Sequence, residues 1–336
     1  MNMDLIDPTL TKTFGRALAE AAKTDERIVA LAADVGNSTG LWEFKKVFPA
    51  RFFEIGVAEQ NMMGIAAGMA TCGFRPFVSS FGCFAALRAC EQVRTDICYG
   101  NQDVKVVGTH AGLSFGPGGT THHVTEDIAV MRSFANMTIL VPADSLETAM
   151  TVLAAAQHKG PCYIRLPRGP RPHFYGNCEA CQFEIGRAQE LRSGNDVTII
   201  ACGMPVIESV HAAAILGKDG IHARVLNMST VKPVDKDAII RAATETGAIV
   251  TVEEHNIMGG LGDAVASVVV ENCPVPMKMV GIPDIFSTIG PSEQLYELYG
   301  LTAAPIAATV RQLLAKKNKP ADISRLPAFP SVRPQH

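Results

Sequence analysis

The 336-residue sequence has few charged and few aromatic side chains, 19% and 6% of the chain, and a formal net charge of −3. It lacks an apolar run of about 20 residues, the length needed to cross a bilayer, and it shows no export signal. The charge balance is near neutral and few aromatic residues lie beside basic ones, which argues against a nucleic-acid surface. We therefore expect a cytoplasmic protein that acts on small molecules, with no nucleic-acid or membrane partner.

Several motifs of self-contained active sites are also missing. The sequence has no GxGxxG after its first predicted strand, no GxxxxGK[ST] phosphate loop and no HExxH. Nine cysteines, scattered through apolar segments, suit a reducing compartment in which they act as small hydrophobic residues. Cys178 and Cys181 form a lone CxxC pair without a second pair at zinc-site spacing, which disfavours a metal or redox role.

Short apolar runs alternate with segments of helical period along the chain, the pattern of a parallel sheet with helices on both faces. The fold class is α/β, in two domains that each contain a largely parallel sheet. The predicted strands are 27–35, 51–56, 75–81, 104–110, 137–143, 161–167, 196–203, 222–229, 248–255 and 277–283. Turn formers between about 168 and 185 indicate domains at 1–175 and 176–317, followed by an extended or disordered tail at 318–336.

Polar and aromatic residues recur at the carboxyl ends of the predicted strands, where open α/β sheets build their sites. These residues are Asp34, Ser38, Glu59, Phe81, Phe84, His110, His122 and Arg168. Glu59 is the least expected of them, because it stands between a buried strand and an apolar helix. A buried carboxylate costs several kcal/mol, on the order given by transfer data, unless it is paired or neutralised. The sequence must therefore either expose Glu59 or use it.

Five segments carry a family resemblance over about residues 10–316: "EIGVAEQNMMGIAAGMA", "THAGLS", "THHVTEDIAVMR", "YIRLPRG" and "VTVEEHNIMGGLGDAV". In these the chain resembles the C-terminal section of transketolases, a pyrimidine-binding domain followed by the transketolase C-terminal domain. Standing as a separate polypeptide, it resembles the beta subunit of a split transketolase. The resemblance implies a thiamine diphosphate-dependent enzyme that transfers a two-carbon ketol unit from a ketose to an aldose acceptor, with sugar phosphates as substrates.

The resemblance also implies roles for individual residues around the cofactor. The family glutamate at the position of Glu59 hydrogen-bonds N1′ of the aminopyrimidine and so activates thiamine. Phe81 and Phe84 resemble the aromatic wall against this ring, where packing contributes about 0.5–1.5 kcal/mol beyond burial. Asp34 resembles a family aspartate near the cofactor, where it contacts either the cofactor or only the subunit interface, and Ile55 is implied to contact the cofactor.

On the substrate side, His110 and His122 resemble the family histidines that line the channel and move protons near neutral pH. Ser38, Arg168 and Lys12 fall where transketolases hold the terminal phosphate of the sugar. The sequence assigns no role to His123, which replaces a usual glutamine, and leaves the direction of Arg165 open.

Two departures from the family pattern concern the substrate. Gly118 stands where sugar-phosphate transketolases carry an acidic residue that recognises a hydroxyl, and Lys12 stands where many relatives have arginine. We therefore expect a modified, branched or sulfonated ketose rather than the ordinary pentose phosphates.

Half of the expected cofactor site is missing, because the chain lacks the Gly-Asp-Gly and distant asparagine that bind magnesium and the diphosphate. We expect a partner of the N-terminal transketolase type that holds Mg²⁺ or Ca²⁺, with the active site at an α2β2 interface. No metal ligand is assigned to this chain. The small residues Gly64, Ala67 and Gly68 would permit close helix packing, either at that interface or within the domain.

Two other functions remain open from the sequence. One is a decarboxylating thiamine enzyme: the beta subunit of a 2-oxo acid dehydrogenase, or a protein similar to deoxyxylulose phosphate synthase. Carbon dioxide release from a 2-oxo acid would identify it. The other is a non-catalytic scaffold, which would have no reason to place a carboxylate at position 59.

Overall fold

The structure is a computed structural model that describes residues 3–170, 173–176 and 180–317. The strands are β1 Ile28–Ala32, β2 Phe52–Glu54, β3 Arg75–Phe81, β4 Lys105–Thr109, β5 Thr138–Leu140, β6 Cys162–Arg165, β7 Gln189–Arg192, β8 Val197–Ala201, β9 Ala223–Asn227, β10 Thr230–Lys232, β11 Ile249–Asn256 and β12 Met277–Ile282. The helices are α1 Leu10–Ala21, α2 Leu41–Val47, α3 Glu59–Thr71, α4 Cys90–Gln92, α5 Asp127–Ser133, α6 Ser145–Gln157, α7 Pro205–Lys218, α8 Lys236–Thr246, α9 Leu261–Asn272, α10 Ser292–Leu298 and α11 Ala303–Lys317.

The strands form two sheets in which most neighbours are parallel. The first has seven strands in the order β10-β5-β6-β4-β3-β1-β2, and the second has five in the order β12-β11-β8-β9-β7. Among the described strands, only β10 and β7, both at sheet edges, run antiparallel to their neighbours. The predicted α/β class is confirmed, and the carboxyl ends of β1 to β6 meet at one edge of the first sheet.

Strands β7 and β10 are absent from the sequence prediction. Strand β10 follows β9 of the second sheet yet pairs with β5 of the first, with Thr230 opposite Leu140. Such a short strand has no recognisable period, and its partner lies far away in sequence.

The two sheets share an apolar core. Val78 and Val106 of the first sheet belong to the same buried cluster as Ile239 of α8 and Val265 of α9. The predicted boundary between residues 175 and 176 therefore divides the sequence but not the core, because side chains from both parts pack together. The predicted tail at 318–336 lies outside the described residues. Within the described ranges, no helix is long and apolar enough to cross a membrane.

A buried ion cluster also joins the two parts and gives Arg165 its direction. The Arg165 guanidinium donates to the Asp127 carboxylate at 2.9 Å and to the backbone carbonyl of Glu254 at 2.9 Å. It lies 3.5 Å from the Glu254 carboxylate, and the Tyr163 hydroxyl donates to Asp127 at 2.7 Å. Because Arg165 points into this cluster, it is not available to a substrate.

We predict that Arg165→Leu lowers the free energy of unfolding by about 3–5 kcal/mol, because it leaves the Asp127 charge buried without its partner. Urea unfolding measures this change. Arg311→Leu is the matched control, since Arg311 and its partner Asp219 are 42% and 47% exposed, and such surface pairs contribute little. Equal, small losses in both variants would contradict the role assigned to the cluster.

Candidate active site

Glu59 is the first residue of α3, at the carboxyl edge of the first sheet, and is only 2% exposed. Its Oε2 accepts a hydrogen bond from Arg88 Nη1 at 2.9 Å, and its Oε1 lies 3.4 Å from Ser80 Oγ. The helix N-terminus also favours a negative charge at this position. The carboxylate is therefore buried, but its surroundings are ionic: Arg88, whose side chain is 46% exposed, balances its charge from the solvent side.

Arg88 reaches Glu59 from the irregular helical segment that follows β3. The chain is π-helical at Phe84–Arg88 and again at Val93–Tyr99, on either side of α4. The Arg88 guanidinium lies 4.1 Å from the ring centre of Phe84, a cation–π contact. Single π-helical turns of this kind are frequent at functional sites. Sequence reasoning missed Arg88, because a π-helical turn changes which side chains share a face.

Phe81 and Phe84 lie together beside this ion pair. Their rings are 6.0 Å apart between centres and inclined by only 24°. Both are partly buried and pack against a small cluster that contains Cys83, Ala111 and Val124. The two rings thus offer apolar surface next to a buried carboxylate.

The two candidate histidines join the same ring cluster. The His110 ring lies 4.3 Å from Phe81, and the His122 ring lies 5.5 Å from Phe84 and 6.4 Å from Phe81. His122 Nδ1 shares a hydrogen bond of 3.0 Å with Thr121 Oγ1. Residues from two strand ends and one long loop therefore converge as the strand-end pattern predicts.

His110 occupies a special backbone position and is held neutral. It directly follows β4 with φ of 57°, a left-handed conformation that is uncommon for a residue other than glycine and that clusters at functional sites. The residue is 5% exposed, and Nδ1 shares a hydrogen bond of 3.0 Å with Thr109 Oγ1. Burial, and then the nearby Arg168 and His122 side chains, lower the pKa of His110 to about 4.

Phe115 lies at the centre of the cluster, although sequence reasoning did not select it. Its ring centre is 5.0 Å from His110, 5.4 Å from both Phe81 and His122, and 4.9 Å from the Arg168 guanidinium carbon. A phenylalanine in a glycine-rich loop has no periodic pattern to mark it. Its position in the sequence between His110 and His122 was the one feature that could have identified it.

Gly118 leaves the space that the Phe115 ring occupies. A Cβ atom at Gly118 would lie 2.8 Å from that ring, closer than real contacts allow. Glycine at position 118, which removes the carboxylate, therefore also makes room for the aromatic ring at position 115. This side of the cluster is apolar.

The candidate phosphate ligands come from three segments that meet at one corner. Thr9, just before α1, forms an isolated antiparallel bridge with Pro170, which places Lys12 near the segment of Arg168. The loop of Ser38 closes against α1 at Gly40, whose φ is 84° and where a Cβ would overlap a backbone carbonyl of α1. Lys12, Ser38 and Arg168 are all exposed.

Asp34 and Ile55 lie at the neighbouring ends of β1 and β2, outside the ring cluster. Asp34 is exposed with φ of 60°, and its backbone N–H donates to the Glu54 carboxylate at 2.6 Å. Ile55 is partly buried and packs on the core cluster. The contact of these two residues with a cofactor stays a prediction.

On α3, the small residues do not share one surface. Ala67 is 6% exposed and belongs to the core of the chain itself. Gly68 faces open space, and a Cβ at Gly64 would lie 3.6 Å from an Asp96 oxygen. Ile65, 36% exposed, lies on the open side of α3. Across the described residues, no three His, Cys, Asp or Glu side chains are grouped as metal ligands would be.

Comparisons with known proteins identify the family of this chain. Residues 7–172 match the family described as transketolase, pyrimidine binding domain, and residues 186–306 match the transketolase C-terminal domain. The 6-deoxy-6-sulfo-D-fructose transketolase subunit SqwH of Clostridium sp. (strain MSTE9) is 42% identical over 309 residues, which are 92% of this chain and 95% of that protein. The chain belongs to the transketolase family.

Other similar proteins place the chain within the family as a C-terminal section. One of the apulose-4-phosphate transketolase subunits of Phocaeicola vulgatus is 42% identical over 305 residues, 91% of this chain and 97% of that protein. A solved structure of a split-gene transketolase, described as an inactive beta4 tetramer, superimposes with a TM-score of 0.86 at 43% identity. It covers 92% of this transketolase section and 99% of that chain. The resemblance drawn from the sequence is thereby confirmed.

We predict that His110 stays neutral at pH 5.5, which NMR of the labelled imidazole ring measures. Because its pKa of about 4 lies below the ordinary value of about 6.5, the unfolded chain binds this proton first as the pH falls. As the pH falls from 7 to 5, this residue should lower the free energy of unfolding by about 2 kcal/mol. His110→Gln should show a correspondingly shallower pH dependence. Titration of the His110 ring near pH 6.5 would contradict the assignment.

Proposed function

We propose that this chain is a subunit of a thiamine diphosphate-dependent transketolase, which transfers a two-carbon ketol unit from a ketose to an aldose acceptor. The observation that carries the proposal is the buried carboxylate of Glu59 beside stacked phenylalanine rings, two histidines and an arginine. A non-catalytic scaffold gives no reason to hold a carboxylate at 2% exposure in this position.

The residues present fit the aminopyrimidine end of the cofactor. Glu59 offers a carboxylate to a ring nitrogen, while Phe81 and Phe84 offer apolar surface to a flat ring. When bound, thiamine diphosphate supplies a carbon nucleophile and an electron sink next to the substrate carbonyl. Glu59 would hold a proton at the ring nitrogen, and Arg88 would have to share Oε2 or move from it.

His110, His122 and Arg168 would contact the substrate. A neutral His110 can accept a proton from a substrate hydroxyl or, through its N–H, donate a hydrogen bond to a carbonyl oxygen. His122, which faces the same rings, would move the second proton. Arg168, with Ser38 and Lys12, would bind the anionic end, Arg168 by a two-point fork and Lys12 as a point charge.

Phe115 and Gly118 support a modified ketose as the donor. An apolar wall offers no partner to a hydroxyl group, and an unpaired buried hydroxyl is costly. One similar transketolase is named for 6-deoxy-6-sulfo-D-fructose, a sulfonated sugar, and another for apulose 4-phosphate. Both names are consistent with a donor outside the ordinary pentose phosphates.

A partner completes the proposed enzyme. An N-terminal-type transketolase subunit would carry the diphosphate site and Mg²⁺ or Ca²⁺, and two copies of each chain would form α2β2. The exposed side of α3 adjoins Glu59 and is available for that contact. The free thiols of the cysteines in the described ranges fit a cytoplasmic location.

We predict that ketol transfer requires this partner and that Glu59→Gln lowers kcat at least about 100-fold, the scale of general acid–base catalysis. The rate is measured with the N-terminal-type subunit from the same genome, thiamine diphosphate and Mg²⁺. Glu271→Gln, an exposed carboxylate on α9, is the control and should keep full activity. Full activity of Glu59→Gln would contradict the proposal. Carbon dioxide release from a 2-oxo acid would indicate a decarboxylating relative instead.

We also predict that a panel of donors gives the highest kcat/KM for a deoxy, branched or sulfonated ketose, at least about tenfold above xylulose 5-phosphate. Gly118→Asp should reduce this difference, because it displaces the Phe115 ring and adds a hydroxyl acceptor. Gly118→Ala adds bulk without the carboxylate and serves as the control. Xylulose 5-phosphate as the best donor by a wide margin would overturn the substrate assignment.

A further inference from the structure

The loop between β4 and α5 is rich in glycine and contacts the second half of the chain. Residues 112–123, called the substrate loop here, contain four glycines, three of them at positive φ: Gly112 at 62°, Gly116 at 36° and Gly119 at 72°. Such a segment has high conformational freedom in isolation. It nevertheless carries Phe115 and His122, whose ring positions define one side of the candidate active site.

His123 connects the substrate loop to the second half of the chain. Its Nε2 lies 2.9 Å from the Gly116 carbonyl oxygen, and its Nδ1 lies 2.8 Å from Ser287 Oγ. Because a carbonyl oxygen only accepts, Nε2 carries the proton and Nδ1 accepts from the Ser287 hydroxyl. His123 and Ser287 are each 5% exposed, so both hydrogen bonds are shielded from water.

Two further hydrogen bonds and one close contact bind the same two segments. Ser292 Oγ donates to the Ser114 carbonyl oxygen at 3.0 Å, and Thr120 Oγ1 donates to the Ser287 carbonyl oxygen. The backbone of Gly116 packs so closely on residue 290 that a Cβ would lie 2.7 Å from its carbonyl oxygen. These contacts lie on both sides of Phe115 in sequence and reach the residues next to His122.

We propose that residues 283–292 of the second half form a clamp that fixes the substrate loop, with His123 as its central positioning residue. The clamp acts on the reaction through Phe115 and His122, whose geometry it holds within the tolerance that catalysis requires. Its kinetic consequence rests on the proposed function, whereas its structural consequence does not. The second half of the chain thereby takes part in the active site.

Hydrogen–deuterium exchange on the isolated full chain tests the clamp without any partner or cofactor. Within the loop, the Gly119, His122 and His123 amides are hydrogen-bonded and report its order. Ser287→Ala with Ser292→Ala should speed exchange of a loop peptide about tenfold, because the two variants remove two hydrogen bonds that hold the loop. Ser287→Thr and Ser267→Ala, the latter exposed on α9, should exchange as the native chain does. Unchanged exchange in the double variant would overturn the clamp.

A kinetic arm then tests whether the clamp positions the site. With the partner present, the double variant should lose about tenfold in kcat/KM, the dissociation constant of thiamine diphosphate should be unchanged, and Ser287→Thr should retain activity. Faster loop exchange with unchanged kcat/KM would overturn the positioning role. Absence of ketol transfer in the native enzyme would overturn the proposed function and this role with it, while the exchange result still decides the clamp. If the double variant fails to fold, Ser287→Ala alone replaces it in both arms.

Discussion

The ion pair between Glu59 and Arg88 is the interaction on which the candidate active site depends. A carboxylate that is 2% exposed would be strongly destabilising without a partner, and Arg88 provides one at 2.9 Å. This pair constrains the chain around it. Residue 88 can reach Glu59 because the backbone is π-helical there, and the same turn places the guanidinium over the Phe84 ring. Breaking the pair would therefore disturb the carboxylate and the aromatic surface together.

The sequence was sufficient to predict the fold class, the parallel strands of the first sheet and the edge at which the candidate residues meet. Those features depend on local apolar patterns and on the rule that parallel strands end at one edge. The same rule brought together Phe81, Phe84, His110 and His122. The features it missed depend on contacts between distant segments or on irregular backbone: the pairing of β10, the inward direction of Arg165, and Phe115 at the centre of the rings.

The two domains predicted from the sequence are not structurally separate, because several contacts join them. Strand β10 extends the first sheet from the second half, and the Arg165 cluster ties β6 to β11 through Glu254. The contacts of the substrate loop with residues 283–292 belong to the same set of connections. The transketolase C-terminal domain therefore shares a core, an ion cluster and a loop contact with the pyrimidine-binding domain.

The most direct test of the proposed function is a crystal structure of this chain bound to its N-terminal-type partner and thiamine diphosphate. We predict that a Glu59 carboxylate oxygen lies within hydrogen-bond distance of the aminopyrimidine N1′, about 2.5–3.0 Å, and that Phe81 and Phe84 contact that ring. A cofactor bound elsewhere, with Glu59 still held by Arg88 and the phenylalanine rings uncovered, would contradict the proposal that Glu59 binds the aminopyrimidine.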